Sequence, residues 1–267
     1  MSNSIYMKII DTFTFCNELE LLNYRLSILY DIVDYFVIVE GIRTQKGSPK
    51  KLYFDENKEM FSKFADKIIH VIDYDLKENI CPWWNENHQR NYIHEGIKQI
   101  DLSPDDKIMV SDLDEIPDIE QLKKIKESNQ KFDILHFEQD LYYYNLTCLY
   151  KTTKWKSAKI VSYDAYLNKF NQSPQECRNV TGDAPISPGG WHLSYFGNID
   201  FIRNKIEQCA HQEINLECFK TSEHIEKQIK NYDDLFMRSS EKFEKVEISE
   251  NKYLPPQYDI YLSKFCV

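Results

Sequence analysis

Glycine and proline are scarce in this 267-residue chain, seven and nine residues respectively. Collagen-like and low-complexity architectures are therefore excluded. No apolar run approaches the ~18 residues that cross a bilayer; the densest, Tyr35 to Val39, has the length of a strand. The opening Met1-Ser2-Asn3-Ser4-Ile5-Tyr6 lacks the basic start and apolar stretch of a secretion signal. Basic residues are outnumbered, 33 Lys and Arg against 43 Asp and Glu, for a net charge of −10. A nucleic-acid partner needs a cationic face to displace counterions, so none is expected. The seven cysteines, at 16, 81, 148, 177, 209, 218 and 266, are odd in number and never spaced C-x-x-C. Neither a zinc ribbon nor a thioredoxin-type motif is present. The expectation is a soluble cytoplasmic protein with free thiols and no transmembrane segment. The sequons at Asn145 and Asn179 are then chance matches.

What is present is globular in balance, 42% hydrophobic and 28% charged, with enough length for one large core. Residues 7–15 read as a strand, and 18–32 carry apolar residues at 19, 22, 26 and 29, a helical stripe. Residues 34–40 are a nearly continuous apolar strand, of the kind buried in a parallel sheet. A polar loop, a short helix near 57–64 and a strand at 67–72 follow. The pattern then predicts a helix over 84–100 and a fourth strand over 107–110. This alternation implies a doubly wound α/β sheet, in which ligands lie beyond the carboxyl ends of the strands. The second half is richer in strands, expected at 132–137, 141–147, 158–163 and 189–196, with no helix among the first three. Helices return at 199–211 and 222–229, and a last one is expected over 258–265. A single domain is expected, with residues 1–118 as its ligand-binding half and 119–267 as a more β-rich second half.

The fourth strand runs into Ser111-Asp112-Leu113-Asp114-Glu115. In a strand-end D-x-D, alternation directs both carboxylates to one side, where they can share Mg²⁺ or Mn²⁺. Such an ion neutralises a departing nucleotide diphosphate, the electrostatic task of sugar transfer. A bare D-x-D is common in acidic proteins; its place after a buried strand is what singles this one out. Ile116-Pro117 then reads as a helix-start signal. Upstream, Arg90 opens two readings, a phosphate or base contact and an i−4 partner for Glu86. Gly189-Gly190-Trp191-His192 combines close backbone approach, a ring face for a sugar and an imidazole. His192 could ligate metal, donate to phosphate or sit in the core. Lys205 could bind phosphate or lie along the surface, and His211 could favour a helix C-terminus.

Several segments together resemble glycosyltransferase family 17, best known for enzymes that add the bisecting GlcNAc to N-glycans. They are Asp11 to Leu22 with Arg25-Leu26, Val33 to Glu40, Thr44 with Gly47, and Gln89-Arg90-Asn91. Ser111 to Pro117, Gly190 to Ser194 and Tyr253 to Tyr258 complete the set. The resemblance covers nearly the whole chain. It implies a GT-A fold, a nucleotide-sugar donor, a glycan acceptor, a divalent metal on the D-x-D and inversion at the anomeric carbon. Under it, Asp112, Asp114 and His192 hold the metal, while Arg90 and Lys205 hold the diphosphate or base. Thr12, Phe13, Glu40, Ser111, Trp191 and His211 line the nucleotide-sugar site. Inversion also needs a carboxylate base, with Asp183, Glu138, Asp140 and Glu213 as candidates among which the sequence does not choose. UDP and GlcNAc are the leading donor, although residues 139–182 match nothing secure.

Two rivals are weaker. A sugar nucleotidyltransferase would carry a glycine-rich loop after the first strand, where this chain reads Phe13-Thr14-Phe15-Cys16-Asn17. A carbohydrate-binding module could use the 18 tyrosines and four tryptophans but would not need a metal-bound diphosphate. The cysteine pattern yields the first prediction. Mass spectrometry of protein prepared without reductant should find unpaired thiols, and two stoichiometric internal disulfides required for folding would refute it.

Overall fold

The computed structural model describes residues 7–128 and 130–266, so the secretion-signal reading of Met1–Tyr6 lies outside the described residues. The first half runs β1 (Ile9–Phe15), α1 (Leu19–Leu29), β2 (Tyr35–Gly41), α2 (Tyr53–Glu56), β3 (Ile68–Asp73), α3 (Pro82–Asn91), α4 (Ile93–Ile97) and β4 (Lys107–Asp112). The second opens with β5 (Glu115–Pro117), α5 (Ile119–Ser128), β6 (Ile134–Phe137), β7 (Asp140–Tyr143), β8 (Cys148–Tyr150) and β9 (Lys159–Ser162). It continues with α6 (Tyr163–Asn168), α7 (Pro174–Asn179), β10 (Ala184–Ile186), β11 (Gly190–Ser194) and α8 (Ile199–Gln208). It closes with α9 (Glu217–Lys220), α10 (Ser222–Asn231), β12 (Phe243–Lys245) and α11 (Tyr258–Tyr261).

A seven-stranded sheet takes the order β10-β6-β9-β4-β1-β2-β3, with β9 antiparallel to both neighbours and the other pairs parallel. A five-stranded sheet, β12-β8-β7-β11-β5, stands beside it. The α/β class expected from the alternation is the one observed. Pleating explains the layers. Ile9, Phe13 and Phe15 of β1 face one core with Leu22, Leu26 and Leu29 of α1, while Ile10 faces another with Ile93 and Ile97 of α4. Phe36 to Val39 alternate between these two cores, which is why β2 reads as an unbroken apolar run. A third core joins Leu141 and Tyr143 to Ile202, Ile206 and Ile225.

Four local expectations are corrected. The helix over 84–100 is two helices, because the backbone at Tyr92 tightens into a turn whose N–H reaches the carbonyls of His88 and Arg90. Pro117 does not start a helix. It lies in β5 opposite Gly190, and Asp118 caps α5 by accepting from the N–H groups of Glu120 and Gln121. The strand over 141–147 ends at Tyr143, since Tyr144 adopts a left-handed φ of 69°. The glycine pair serves the chain itself. Gly190 has φ 110°, and a Cβ there would stand 2.1 Å from the Ile116 carbonyl oxygen. All seven cysteines are free, and no helix among the described residues is long and apolar enough to cross a membrane. Burial pushes the thiols of Cys16, Cys148 and Cys177 up to about 12, so they stay protonated.

The turn at Leu113–Asp114 carries the chain from β4 in the first sheet to β5 in the second. It is held from beneath by Arg25 of α1, which is fully buried. The guanidinium grips both oxygens of buried Asp11 at 2.6 and 2.8 Å and donates to Ser111 Oγ at 2.6 Å. It also donates to the carbonyls of Asp112, Leu113 and Glu115 at 2.9–3.0 Å. Removing one partner of a buried pair strands the other charge, at a cost of about 3–5 kcal/mol. Arg25→Met should lose that much stability in urea unfolding; a loss below ~1 kcal/mol would show that the turn holds itself.

Candidate active site

Asp112 ends β4 at the carboxyl edge of the seven-stranded sheet, beside Thr14 of β1. Its carboxylate meets two guanidiniums, Arg90 at 3.1 Å through Oδ1 and Arg178 at 2.6 Å through Oδ2. Asp114, two residues on, turns to other partners. Lys205 of α8 reaches its Oδ2 at 2.8 Å, and His192 Nε2 of β11 stands 3.4 Å from its Oδ1. The carboxylates thus diverge toward separate cations. The turn between β4 and β5 breaks the strand alternation on which the shared-side expectation rested.

Each cation is placed by its own element. Arg90 lies near the end of α3, with Glu86 one turn back at 3.0 Å and Gln175 Oε1 at 2.5 Å. The pairing with Glu86 is the i−4 contact that the spacing offered, and the same guanidinium also reaches Asp112. Arg178, like Trp155, is a member of this charge cluster that the sequence reading missed. It sits on α7, grips Glu115 bidentately at 2.7 and 2.8 Å, and bridges to Asp112. Such paired N–H bonds are among the strongest side-chain contacts. The helix carries no long apolar period, yet Ser173-Pro174-Gln175-Glu176 spells a capped start. Ser173 Oγ accepts from the Glu176 N–H at 3.1 Å, and Pro174 occupies the first turn. Asn91 at the end of α3 docks on that cap, accepting from Ser173 Oγ and the Gln175 N–H. Glu115 also accepts from Trp155 Nε1 at 2.5 Å, and the Trp155 ring lies 4.5 Å from that of His192.

The remaining expected residues fall into three groups. Ser111 accepts from Arg25, and Phe13 lies under the same guanidinium at 4.7 Å. Thr12 donates to the Met109 carbonyl, and Glu40 accepts from Lys50, the Phe54 N–H and His70. These four are buried and partnered within the protein. Trp191 is 4% exposed, with its ring stacked on Tyr253 and its Nε1 on the Tyr253 carbonyl, so its face is occupied. His211 is exposed, paired with Glu213 and edge-on to Trp83. Among the candidate bases, Glu138 and Asp140 follow the carboxyl end of β6, which runs parallel to β4. They pair with Lys156 and Lys154. Asp183 precedes β10, parallel to β6, and so stands at the opposite, amino edge of the sheet. At the start of α8, a cleft of about 240 Å³ opens between Asn17, Glu18, Gly197, Asn198, Phe201 and Phe265.

Asp112 and Asp114 offer the carboxylate oxygens that a hard divalent ion takes, but with His192 they do not gather into a three-donor cluster, since each carboxylate is drawn to its own cation. His192 Nδ1 is buried without a hydrogen-bond partner, while the Trp155 ring packs against the imidazole. Comparison with known proteins agrees with the residue pattern. The family model for glycosyltransferase family 17 matches residues 2–258. Three curated proteins named β-1,4-mannosyl-glycoprotein 4-β-N-acetylglucosaminyltransferase, from Rattus norvegicus, Homo sapiens and Mus musculus, are each 29% identical to it over 118 residues. The alignment takes in 41% of this chain and 22% of each relative, less than a quarter of their length.

The divergent pairing sets the acid response. Burial raises the Asp114 carboxyl, but Lys205 and then His192 outweigh it and hold it well below the usual carboxylate range. Burial also raises Asp112, and Arg178 followed by Arg90 brings it below its ordinary value. Both groups bind protons less readily folded than unfolded. Their stabilisation is therefore complete above about pH 5 and is lost as pH falls through the carboxylate range. Lys205→Met should lower the melting temperature at pH 7 and flatten the melting profile between roughly pH 5 and 2. An unchanged acid slope would sever Lys205 from Asp114.

Proposed function

This chain belongs to glycosyltransferase family 17, and on that footing we propose that it moves a sugar, GlcNAc first among candidates, from a UDP-linked donor to a glycan hydroxyl with inversion and a divalent metal. The observation that carries the reading is the meeting of Asp112 and Asp114 with Arg90, Arg178 and Lys205 at the carboxyl end of β4. Ligands of such sheets bind at that end. Four carboxylates, Glu86, Asp112, Asp114 and Glu115, face three permanent cations there. A diphosphate brought into this balance adds negative charge, which a divalent cation would offset.

Asp112 and Asp114, with His192 beside Asp114, would hold Mn²⁺ or Mg²⁺, which would supply Lewis-acid stabilisation of the leaving diphosphate. Arg90 and Arg178 orient the diphosphate as a fork pair, and Lys205 adds a mobile ammonium. The Arg25 network holds the Asp112–Glu115 backbone at a set depth, so the charges are organised before substrate arrives. Glu138 and Asp140 share the carboxyl edge with Asp112 and are the carboxylates through which the acceptor proton would leave. The acceptor glycan would approach along the cleft beside α8. Residues 1–118 supply Arg90, Asp112 and Asp114 to the donor site, and Arg178, His192 and Lys205 from residues 119–267, the half that would also take the acceptor, complete it. A reducing, cytoplasmic setting suits the free thiols.

Calorimetric titration with UDP, with and without Mn²⁺, tests the reading. Wild-type protein should bind UDP more tightly with the ion, and Asp112→Asn with Asp114→Asn should abolish that gain. Like-charge relief alone predicts an unchanged or raised melting temperature for the double variant. The pairing with Arg178 and Lys205 predicts a lowered one. Metal-dependent UDP binding that survives the double variant would overturn the site, and a donor panel scored by hydrolysis would identify the sugar.

A further inference from the structure

A second group of ionisable residues lies apart from the Asp112–Asp114 turn, where β3 ends and α3 passes over it. Among the described residues, Asp73, Asp75 and His88 form a three-donor cluster whose candidate ligand atoms all lie within 4.8 Å of one another. Asp73 is 0% exposed, and its place is fixed by the sheet, with its carbonyl accepting from the Ile42 N–H at 3.1 Å. One carboxylate oxygen, Oδ1, accepts from the Asp75 N–H at 2.9 Å. The other, Oδ2, is buried and has no hydrogen-bond partner. The facing atom, His88 Nε2, is buried and partnerless too. The two side chains approach to 3.6 Å between Nε2 and Oδ1, too long for a hydrogen bond.

A buried carboxylate oxygen with no donor, facing the buried Nε2 of a ring that is itself 28% exposed, is costly unless something stands between them. Ligands at ~2.0–2.1 Å in a tetrahedral shell stand roughly 3.3 Å from one another, close to the spacing seen. His88 is held by rings, stacked on Trp84 at 4.7 Å and 9° and in contact with Tyr92 at 5.7 Å. Its orientation is therefore set in advance. We propose that Asp73, Asp75 and His88 bind a divalent d-block cation of the Zn²⁺ type, with water completing the shell. An imidazole with two carboxylates suits Zn²⁺ better than Mg²⁺ or Ca²⁺, which take all-oxygen shells. The site shares no ligand with the Asp112–Asp114 turn. It does share α3, where Arg90 follows His88 by two residues, so the ion pins to β3 the helix that presents Arg90 to Asp112.

The test uses tag-free, chelator-treated full chain without nucleotide, titrated with Co²⁺ by visible absorption and with Zn²⁺ by equilibrium dialysis. One equivalent should bind to wild-type protein and persist in the Asp112→Asn, Asp114→Asn double variant. His88→Gln and Asp75→Asn should each weaken it at least tenfold and diminish the Co²⁺ bands. Asp75 is exposed, so its variant tests the ligand set without disturbing the core, with circular dichroism verifying the fold. The proposal is overturned if wild-type protein takes up no stoichiometric ion, or if affinity is unchanged in both ligand variants. Loss of the ion in the double variant with retention in His88→Gln would overturn it equally.

Discussion

The buried guanidinium of Arg25 is the constraint on which the site depends. A charge taken fully out of water must be matched in sign and satisfied in hydrogen bonds, or the fold loses more than the contact gains. Asp11 supplies the opposite charge; Ser111 and three carbonyls of the turn take up the remaining donors. One side chain therefore ties the first strand, the first helix and the junction of the two sheets. The Asp112–Glu115 backbone cannot shift without leaving a buried donor unpaired. That requirement gives a short turn the rigidity that a binding site needs.

Above this buried base, the charges are arranged as separate cells. Asp112 is enclosed by Arg90 and Arg178, Asp114 by Lys205 and His192, and Glu115 by Arg178 and Trp155. Four elements, α3, α7, α8 and β11, bring the cationic partners, and the segment between β8 and β9 brings Trp155. Only α3 belongs to the first half of the chain. The site is thus completed by segments 66 to 91 residues downstream of the turn, such as Arg178 and Lys205, each held by its own cap or strand pairing. The double docking of α3, onto α7 through Asn91 and beside β3 through His88, makes that helix the member through which distant contacts reach Arg90.

Much of the frame was legible in the residues. The apolar run of β2 and the stripe of α1 announce a buried parallel sheet, and Asp112 follows directly from the end of β4. The second half was read less well, for identifiable reasons. Six-residue helices such as α6 and α7 are too short to show a period, although Ser162 and Ser173 cap them in a recognisable way. Gly189-Gly190 was legible as close backbone approach but not as approach to β5 and the Glu138 backbone. Trp191 announced a ring face without indicating that Tyr253 covers it.

The order of strands and helices, the acidic turn at a strand end and the membership in glycosyltransferase family 17 were determined by the sequence itself, because periodicity and motif spacing are local properties of the chain. Which cation faces which carboxylate was decided only by the tertiary structure. Arg178, Lys205, His192 and Trp155 lie 40 to 91 residues from their partners, and no local pattern encodes a pairing over that distance. Their approach follows from how helices pack on a twisted sheet and from the rule that a buried charge must find its opposite, both properties of the folded whole.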